Sequence, residues 1–300
     1  MREPVVTMQR KRLSGLDFVL GVLLIALACY VYYRIDRVVH YRWEWSAIPQ
    51  YLFRYDAASG RWVSNLLMQG FFTTIRLSLW GTLLAMILGT AMGLCRVSRS
   101  LFLRLAGRTY VESIRNLPPL VLIFIFFYFV SDQVIPITGV PEAVAGLSES
   151  QQQVLTLLLA PPNQVPAFLS ALLTLAIFEG AYITEIVRAG IQSIGIGQWE
   201  ASRALGFTRW QQLRHIILPR AFQRSLPPLA GQFISTIKDS AIVSVISIQE
   251  LTFQGMELMS ATYLTFEIWI TITLMYLALT LPCSLIIQKL EVRLRTEEPG

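Results

Sequence analysis

The sequence is poor in charged residues and in cysteine. Only 15% of its 300 residues are Asp, Glu, Lys or Arg, whereas soluble domains carry about 25%. Its three cysteines, Cys29, Cys95 and Cys283, are far apart in apolar surroundings, which argues against a secreted disulfide scaffold. With 54% hydrophobic residues and a mean hydropathy of +0.53, the composition is typical of an integral membrane protein.

The sequence also lacks the motifs of common catalytic and cofactor sites. His40 and His215 are isolated, and neither H-E-x-x-H nor G-x-S-x-G occurs. There is no G-x-x-x-x-G-K-[ST] phosphate loop, because none of the three lysines follows a glycine. We therefore expect no catalytic residue, metal or cofactor, and any energy from ATP must come through another protein.

Six apolar stretches approach the length that crosses ~30 Å of hydrocarbon, which takes about 20 helical residues. They are Phe18 to Tyr33, about 66–94, a stretch centred on Leu120 to Val130, roughly 166–188, roughly 221–248, and Ile268 to Gln288. The third is entered through Pro118 and Pro119, which a helix tolerates at its start. The sequence therefore predicts an all-α membrane protein with six transmembrane helices.

Most of the 25 basic residues lie in four segments that six spans place on one side of the membrane. These segments are the N-terminal tail, 96–115, 188–224 and the C-terminal tail. The loop 131–165 on the other side has no basic residue. Because short cytoplasmic loops are rich in Lys and Arg, we expect both termini in the cytoplasm. The positive charge is then explained by the orientation of the chain in the lipid membrane, and we expect no nucleic-acid partner.

The first apolar stretch and the residues after it allow two interpretations. Region 34–61 carries five arginines on the predicted outer side, and its aromatic residues suit a segment at the outer interface. The basic tail and the short apolar run before this region also fit a cleaved signal peptide. Either outcome leaves the topology of the other five spans unchanged.

The segment 189–220 is long and ordered in pattern for a loop between spans. After several glycines, Gln198 to Leu205 predicts a short helix that ends at Gly206. A second short helix is predicted for Arg209 to Ile217, stopped by Pro219. Two such helices form a compact cytoplasmic knob that can dock a partner.

Within this segment Glu200, Ala201 and Ser202 are followed by Gly206 and later by Leu218-Pro219. This arrangement resembles the EAA loop of the membrane subunits of ATP-binding-cassette (ABC) importers. Four further stretches resemble the permeases of the polar amino acid uptake subfamily, which serve histidine, glutamine, arginine, and glutamate or aspartate. They are Tyr110 to Val121, Phe178 to Ser193, Leu226 to Ile246 and Phe266 to Leu277.

The resemblance implies a five-helix type I ABC importer core with one extra N-terminal helix. The division is 1–63 for the tail, extra helix and outer segment, 64–290 for the transport core with coupling loop 189–220, and 291–300 for the cytoplasmic tail. The ATPase-coupling residues are then Gly197, Glu200, Ala201, Ser202, Gly206, Leu218 and Pro219.

The same resemblance implies a location in a bacterial cytoplasmic (inner) membrane and a set of partners. A cytoplasmic ABC ATPase dimer would bind the coupling helix and hydrolyse ATP, so the chain itself would be no enzyme. An external solute-binding protein would deliver an amino acid, with glutamate, aspartate or glutamine favoured. A second permease copy, identical or paralogous, would complete the path.

Charged residues inside the spans leave two roles open. Glu179 and Glu185 lie in span four, and Lys238 and Asp239 interrupt span five. Because such residues cost at least ~2.5 kcal/mol at the bilayer centre, they face a protein interior or an aqueous path. They either pair structurally, for example Glu185 with Lys238, or line the translocation path, for which Glu179 is the sharper candidate.

Two further interpretations concern Arg76 and the mode of transport. Arg76, in span two, is predicted to keep its stem in lipid and extend its head to the outer side. An ion-coupled secondary transporter of amino acids is the alternative function, because such carriers also have charged residues in their spans.

Overall fold

The computed structural model of the protein describes residues 15–37, 41–57 and 60–296. Contacts divide the chain into two compact units, one ending at Trp45 and one beginning at Ser46. In the first unit, helix α1 (Gly15–Arg37) exposes apolar side chains all round, Phe18 by 73%. A helix that is apolar on every side is suited to lipid.

Among its described residues, the second unit contains twelve further α-helices and one β-hairpin. In chain order they are α2 (Ile48–Leu52), β1 (Phe53–Asp56), β2 (Arg61–Ser64), α3 (Leu66–Arg96), α4 (Leu101–Arg115), α5 (Pro119–Phe129), α6 (Val140–Ala145), α7 (Glu149–Leu158), α8 (Val165–Gln192), α9 (Ile196–Ala204), α10 (Arg209–Gln211), α11 (Leu218–Asp239), α12 (Leu251–Thr262) and α13 (Thr265–Thr296). Short 3-10 and π turns connect several of them.

In the described part of the chain, six helical segments are long and apolar enough to cross a membrane, and they confirm the six predicted stretches. They are Asp17–Arg34, Leu66–Arg96, Pro119–Thr138, Pro162–Gln192, Arg209–Ile246 and Thr265–Lys289. Pro118 and Pro119 stand at the start of α5, as the sequence indicates.

Helix α8 is the central element, and α3 packs against it through glycines. A Cβ atom at Gly89 would lie 2.6 Å from Cγ2 of Ile183 and 2.9 Å from the carbonyl oxygen of Gly180. A Cβ at Gly93, one turn on, would lie 2.8 Å from Cγ1 of Val187. Small residues at such positions let two membrane helices approach closely. This contact fixes α8, the helix that carries Glu179.

Helix α4 was not predicted as a separate helix. It is amphipathic, and its apolar residues are interrupted by arginines, so it gives no long apolar run. Gly107 packs against the end of α3, where an added Cβ would lie 2.7 Å from Cγ of Arg96. The hydroxyl of Tyr110 donates a hydrogen bond of 2.6 Å to the carbonyl oxygen of Ile177, which ties α4 to α8.

Arg76 and Trp80 of α3 hold the end of α7. The Arg76 guanidinium donates to the carbonyl of Thr156, and Nε1 of Trp80 donates to the carbonyl of Leu158 at 2.9 Å. The last carbonyls of a helix lack partners within it, so both side chains satisfy them. The head of Arg76 thus contacts the segment between the third and fourth spans.

The predicted stop at Pro219 was wrong. The chain stays helical from Arg209, through a π turn at Gln212–Ile217, into α11, where Pro219 lies in the first turn. Pro219 lies directly after the π turn, at one of the first two positions of α11, where proline is tolerated. The knob therefore continues directly into the fifth span.

Candidate functional site

Helix α9 confirms the short helix predicted at Gln198 to Leu205, and its end is fixed by Gly206. Gly206 has a φ of +80°, the left-handed region that favours glycine. The N–H of Gly206 donates to the carbonyl of Arg203 at 3.0 Å, and that of Phe207 donates to the carbonyl of Ser202 at 3.2 Å. These two bonds form a Schellman motif, which turns the chain sharply at the end of α9.

The inner face of α9 is attached to the membrane helices. Ser202 is buried and donates a hydrogen bond of 2.9 Å to the carbonyl of Trp199. Trp199 packs on a buried cluster that includes Ile191 of α8 and Ile217 of the π turn. Trp199 thus connects α9 by apolar packing to the end of α8 and to the π turn that precedes α11.

The outer face of α9 is exposed and partly apolar. Glu200 and Ala201 are exposed, and Ile196 and Leu205 are each 75% exposed. Of the other predicted coupling residues, Gly197, Gly206 and Pro219 are exposed, whereas Ser202 is buried and Leu218 is half-buried. The predicted set thus comprises a surface available to a partner and two residues that support it.

Glu179 is completely buried on α8 and meets a polar face of α11. Nε2 of Gln232 donates a hydrogen bond of 2.6 Å to Oε2 of Glu179. Oε1 of Glu179 has no hydrogen-bond donor among the described residues. The carboxyl of Asp239, on the same face of α11, lies against that of Glu179. The structure therefore brings two of the predicted residues together at the α8–α11 interface.

The predicted pairing of Glu185 with Lys238 was wrong about the partner. Glu185 forms ion pairs with Arg96, at the end of α3, and with Arg188, one turn further along α8 at 2.7 Å. Lys238 is exposed on α11. The two arginines are nearer because Glu185 lies close to the end of its span, where the chain is rich in arginine.

Two polar residues of these sites were missed from the sequence, Gln232 and Arg96, and so was the buried Glu250 elsewhere in the bundle. Glu250 accepts hydrogen bonds from the backbone N–H groups of Thr252 and Phe253 and so caps α12. Glu250 lies outside the six spans, and its burial raises the pKa of its carboxyl group to about 7. An acidic residue just before a helix was the available signal for Glu250. Gln232 and Arg96 had none, because their partners lie on other helices.

A bundle of apolar helices with a buried polar interface and an exposed helix between two spans is the architecture expected of a membrane transport subunit. Residues 81–296 match the family described as "Binding-protein-dependent transport system inner membrane component". The chain belongs to this family, and it is accordingly a multi-pass protein of the inner membrane.

The relatives of the chain include two bacterial permeases. The chain is 34% identical over 230 residues to the probable glutamine ABC transporter permease protein GlnM of Bacillus subtilis (strain 168), covering 77% of this chain and 94% of the relative. It is 31% identical over 226 residues to the glutamate/aspartate import permease protein GltJ of Escherichia coli (strain K12), covering 75% and 86%.

Among solved structures, the chain is similar to an amino acid ABC transporter crystallised with histidines. The TM-score is 0.63 at 29% identity, and the match covers 84% of this chain and 100% of the other. The five-helix core with one extra helix, predicted from the sequence, agrees with this fold.

Proposed function

We propose that the chain is the permease subunit of an ATP-driven importer of polar amino acids, coupled through α9 to a separate cytoplasmic ATPase dimer. The observation that carries the proposal is α9 itself, whose inner face is fixed to the spans and whose outer face is exposed. The chain has no phosphate-binding loop of its own, so an energy source must act on such a surface. Gly197, Glu200, Ala201, Ser202, Gly206, Leu218 and Pro219 form or support it.

The position of α9 in the chain explains how ATPase movement would reach the substrate path. Helix α9 connects α8, which carries Glu179, to α11, which carries Gln232 and Asp239. Closure of two ATPase subunits would move α9 as a rigid body and change the spacing of α8 and α11. The polar interface would then open alternately to the two sides of the membrane.

Glutamine is the favoured substrate among glutamine, glutamate and aspartate. The relatives cited above are named for glutamine and for glutamate or aspartate. The carboxyl groups of Glu179 and Asp239 lie in contact at a buried interface and hold one proton between them, so the pair carries one negative charge that attracts the ammonium group of an amino acid. It repels a second carboxylate in the side chain, which a neutral amide avoids.

The remaining assembly follows from the same proposal. An external solute-binding protein delivers the amino acid, and a second permease copy, identical or paralogous, completes the path. The positive charge of the basic segments supports a cytoplasmic position for both termini. Residues 1–63 and 291–300 are then additions to a transport core at 64–290.

Competition for uptake tests the substrate class. The complete complex is reconstituted with its ATPase and binding protein, and uptake of labelled glutamine is measured with an excess of each unlabelled amino acid. We expect glutamine to compete best and glutamate to compete less well. Uptake that no polar amino acid inhibits would contradict the proposal.

Glu179→Gln is expected to raise the KM for substrate roughly tenfold or more and to leave the fold intact. The amide oxygen can still accept the hydrogen bond from Gln232. The second carboxyl oxygen, which has no donor among the described residues and can accept from the substrate ammonium, is replaced by an NH2 group, which removes a hydrogen bond to a charged group worth about 1.5–3 kcal/mol. Steady-state uptake checks this, with Glu257→Gln on the exposed side of α12 as control. An unchanged KM would give Glu179 a structural role only.

A further inference from the structure

A cavity of about 360 Å³ lies beside α9, where α3 and α8 end. Three arginines line it, Arg96 from the end of α3, Arg104 from α4 and Arg209 from α10. Trp199 of α9 forms another part of the wall. The lining contains no carboxylate from any described residue, so its charged groups are all guanidinium groups.

The positive charge of this cavity is only partly neutralised. Arg96 pairs with Glu185, outside the cavity lining. Arg104 donates to the carbonyls of Ser98 at 3.1 Å and Arg99 at 2.9 Å, which carry no net charge. The guanidinium of Arg209 lies 3.8 Å from the ring centroid of Trp199. Among described residues, neither Arg104 nor Arg209 has a salt bridge to a carboxylate.

Two more arginines add to the excess. The charges of Arg99 and Arg203 act on Arg209, so like charges meet around one small volume. Like charges this close repel each other, and an anion bound between them removes that cost. A phosphate group suits the site because guanidinium groups bind it through paired, charge-assisted hydrogen bonds.

The surroundings of the cavity indicate where the phosphate comes from. Helix α4 exposes Leu101 by 62%, Phe102 by 77% and Leu105 by 51%, next to Arg104. An amphipathic helix with exposed apolar residues and arginines is typical of the membrane interface. The cavity also lies where two spans end, close to the segment of α4 that carries these exposed apolar residues.

We propose that this cavity binds the phosphate group of an anionic phospholipid in the cytoplasmic leaflet, with the acyl chains against the apolar residues of α4. Because Trp199 belongs to α9, the bound headgroup fixes the position of the coupling helix. This effect on coupling rests on the proposed function, whereas binding of the lipid does not.

Lipid titration in nanodiscs tests the proposal on the assembled permease and ATPase. The phosphatidylglycerol content of phosphatidylcholine discs is varied, and lipid bound to the complex is measured by native mass spectrometry, with ATP hydrolysis in parallel. Arg104→Gln is expected to weaken phosphatidylglycerol binding about fivefold, the effect of one basic residue at a membrane surface. Arg104→Lys should bind with an affinity between those of the wild type and Arg104→Gln, because it keeps the charge but loses the paired hydrogen bonds of the guanidinium group.

The matched control is Arg108→Gln on the same helix. Arg108 is exposed and already pairs with Glu112 at 3.2 Å, so phosphatidylglycerol binding should not change. The thermal midpoint of each variant shows whether it remains folded.

Three results would overturn the proposal. The first is equal phosphatidylglycerol affinity of the wild type and folded Arg104→Gln. The second is full occupancy by inorganic phosphate in discs of phosphatidylcholine alone, since free phosphate would then be the ligand. The third is loss of the ATPase from Arg104→Gln with unchanged lipid binding, which would indicate a protein contact. Selective lipid binding by a complex that transports no amino acid would support the lipid site and contradict only the proposed function.

Discussion

Gly206→Val is expected to reduce ATP-driven uptake roughly tenfold without changing the amount of permease in the membrane. Valine at a φ of +80° is strained, and the left-handed conformation costs an L-residue about 1–2 kcal/mol. No atom lies within 4 Å of an added Cβ, so the effect comes from the backbone alone. The Schellman motif opens, and the exposed face of α9 changes its direction relative to the ATPase.

The control for this prediction is Gly206→Asn. Asparagine tolerates the left-handed region better than other side chains, so uptake should remain close to that of the wild type. Co-purification of the ATPase should fall with valine and persist with asparagine. Normal uptake and normal co-purification with valine would remove α9 as the coupling helix.

Gly89→Leu is expected to abolish accumulation of the folded protein. The added Cβ meets both the side chain of Ile183 and the backbone oxygen of Gly180, and the backbone cannot move aside as a flexible side chain does. Overpacking usually costs about 1–3 kcal/mol. Here α3 and α8 must separate, and the α8–α11 polar interface moves with them.

The amount of monodisperse protein after detergent extraction measures this effect. Gly21→Leu is the matched control, because it makes the same change in a spanning helix where nothing lies within 4 Å of the added Cβ. We expect Gly21→Leu to extract like the wild type. Equal yields of the two variants would show that the close contact of α3 and α8 is dispensable.

The spans and α9 could be predicted because their signals are local in sequence. An apolar run of about 20 residues is sufficient evidence for a membrane helix, and all six runs occur as helices. Gly206 after a short helical pattern likewise marks a helix end, since only its backbone conformation is needed. Helix α4 was missed because arginines interrupt its apolar residues.

The contacts between helices were harder to predict, because they depend on how helices far apart in sequence face each other. Glu185 pairs with Arg96, 89 residues away, and Glu179 accepts its hydrogen bond from Gln232, 53 residues away. No residue spacing encodes either contact. The error at Pro219 is of a different kind. A proline indicates a helix end only where no helix begins, and Pro219 lies in the first turn of α11.

The central claim is that the chain imports amino acids through an external ATPase, and the energy source tests it most directly. Proteoliposomes containing the permease, its ATPase and its binding protein are supplied either with ATP or with a proton gradient. The account predicts uptake of labelled glutamine with ATP and none with the gradient alone. Gradient-driven uptake by the permease without ATP would contradict the account and identify an ion-coupled secondary transporter.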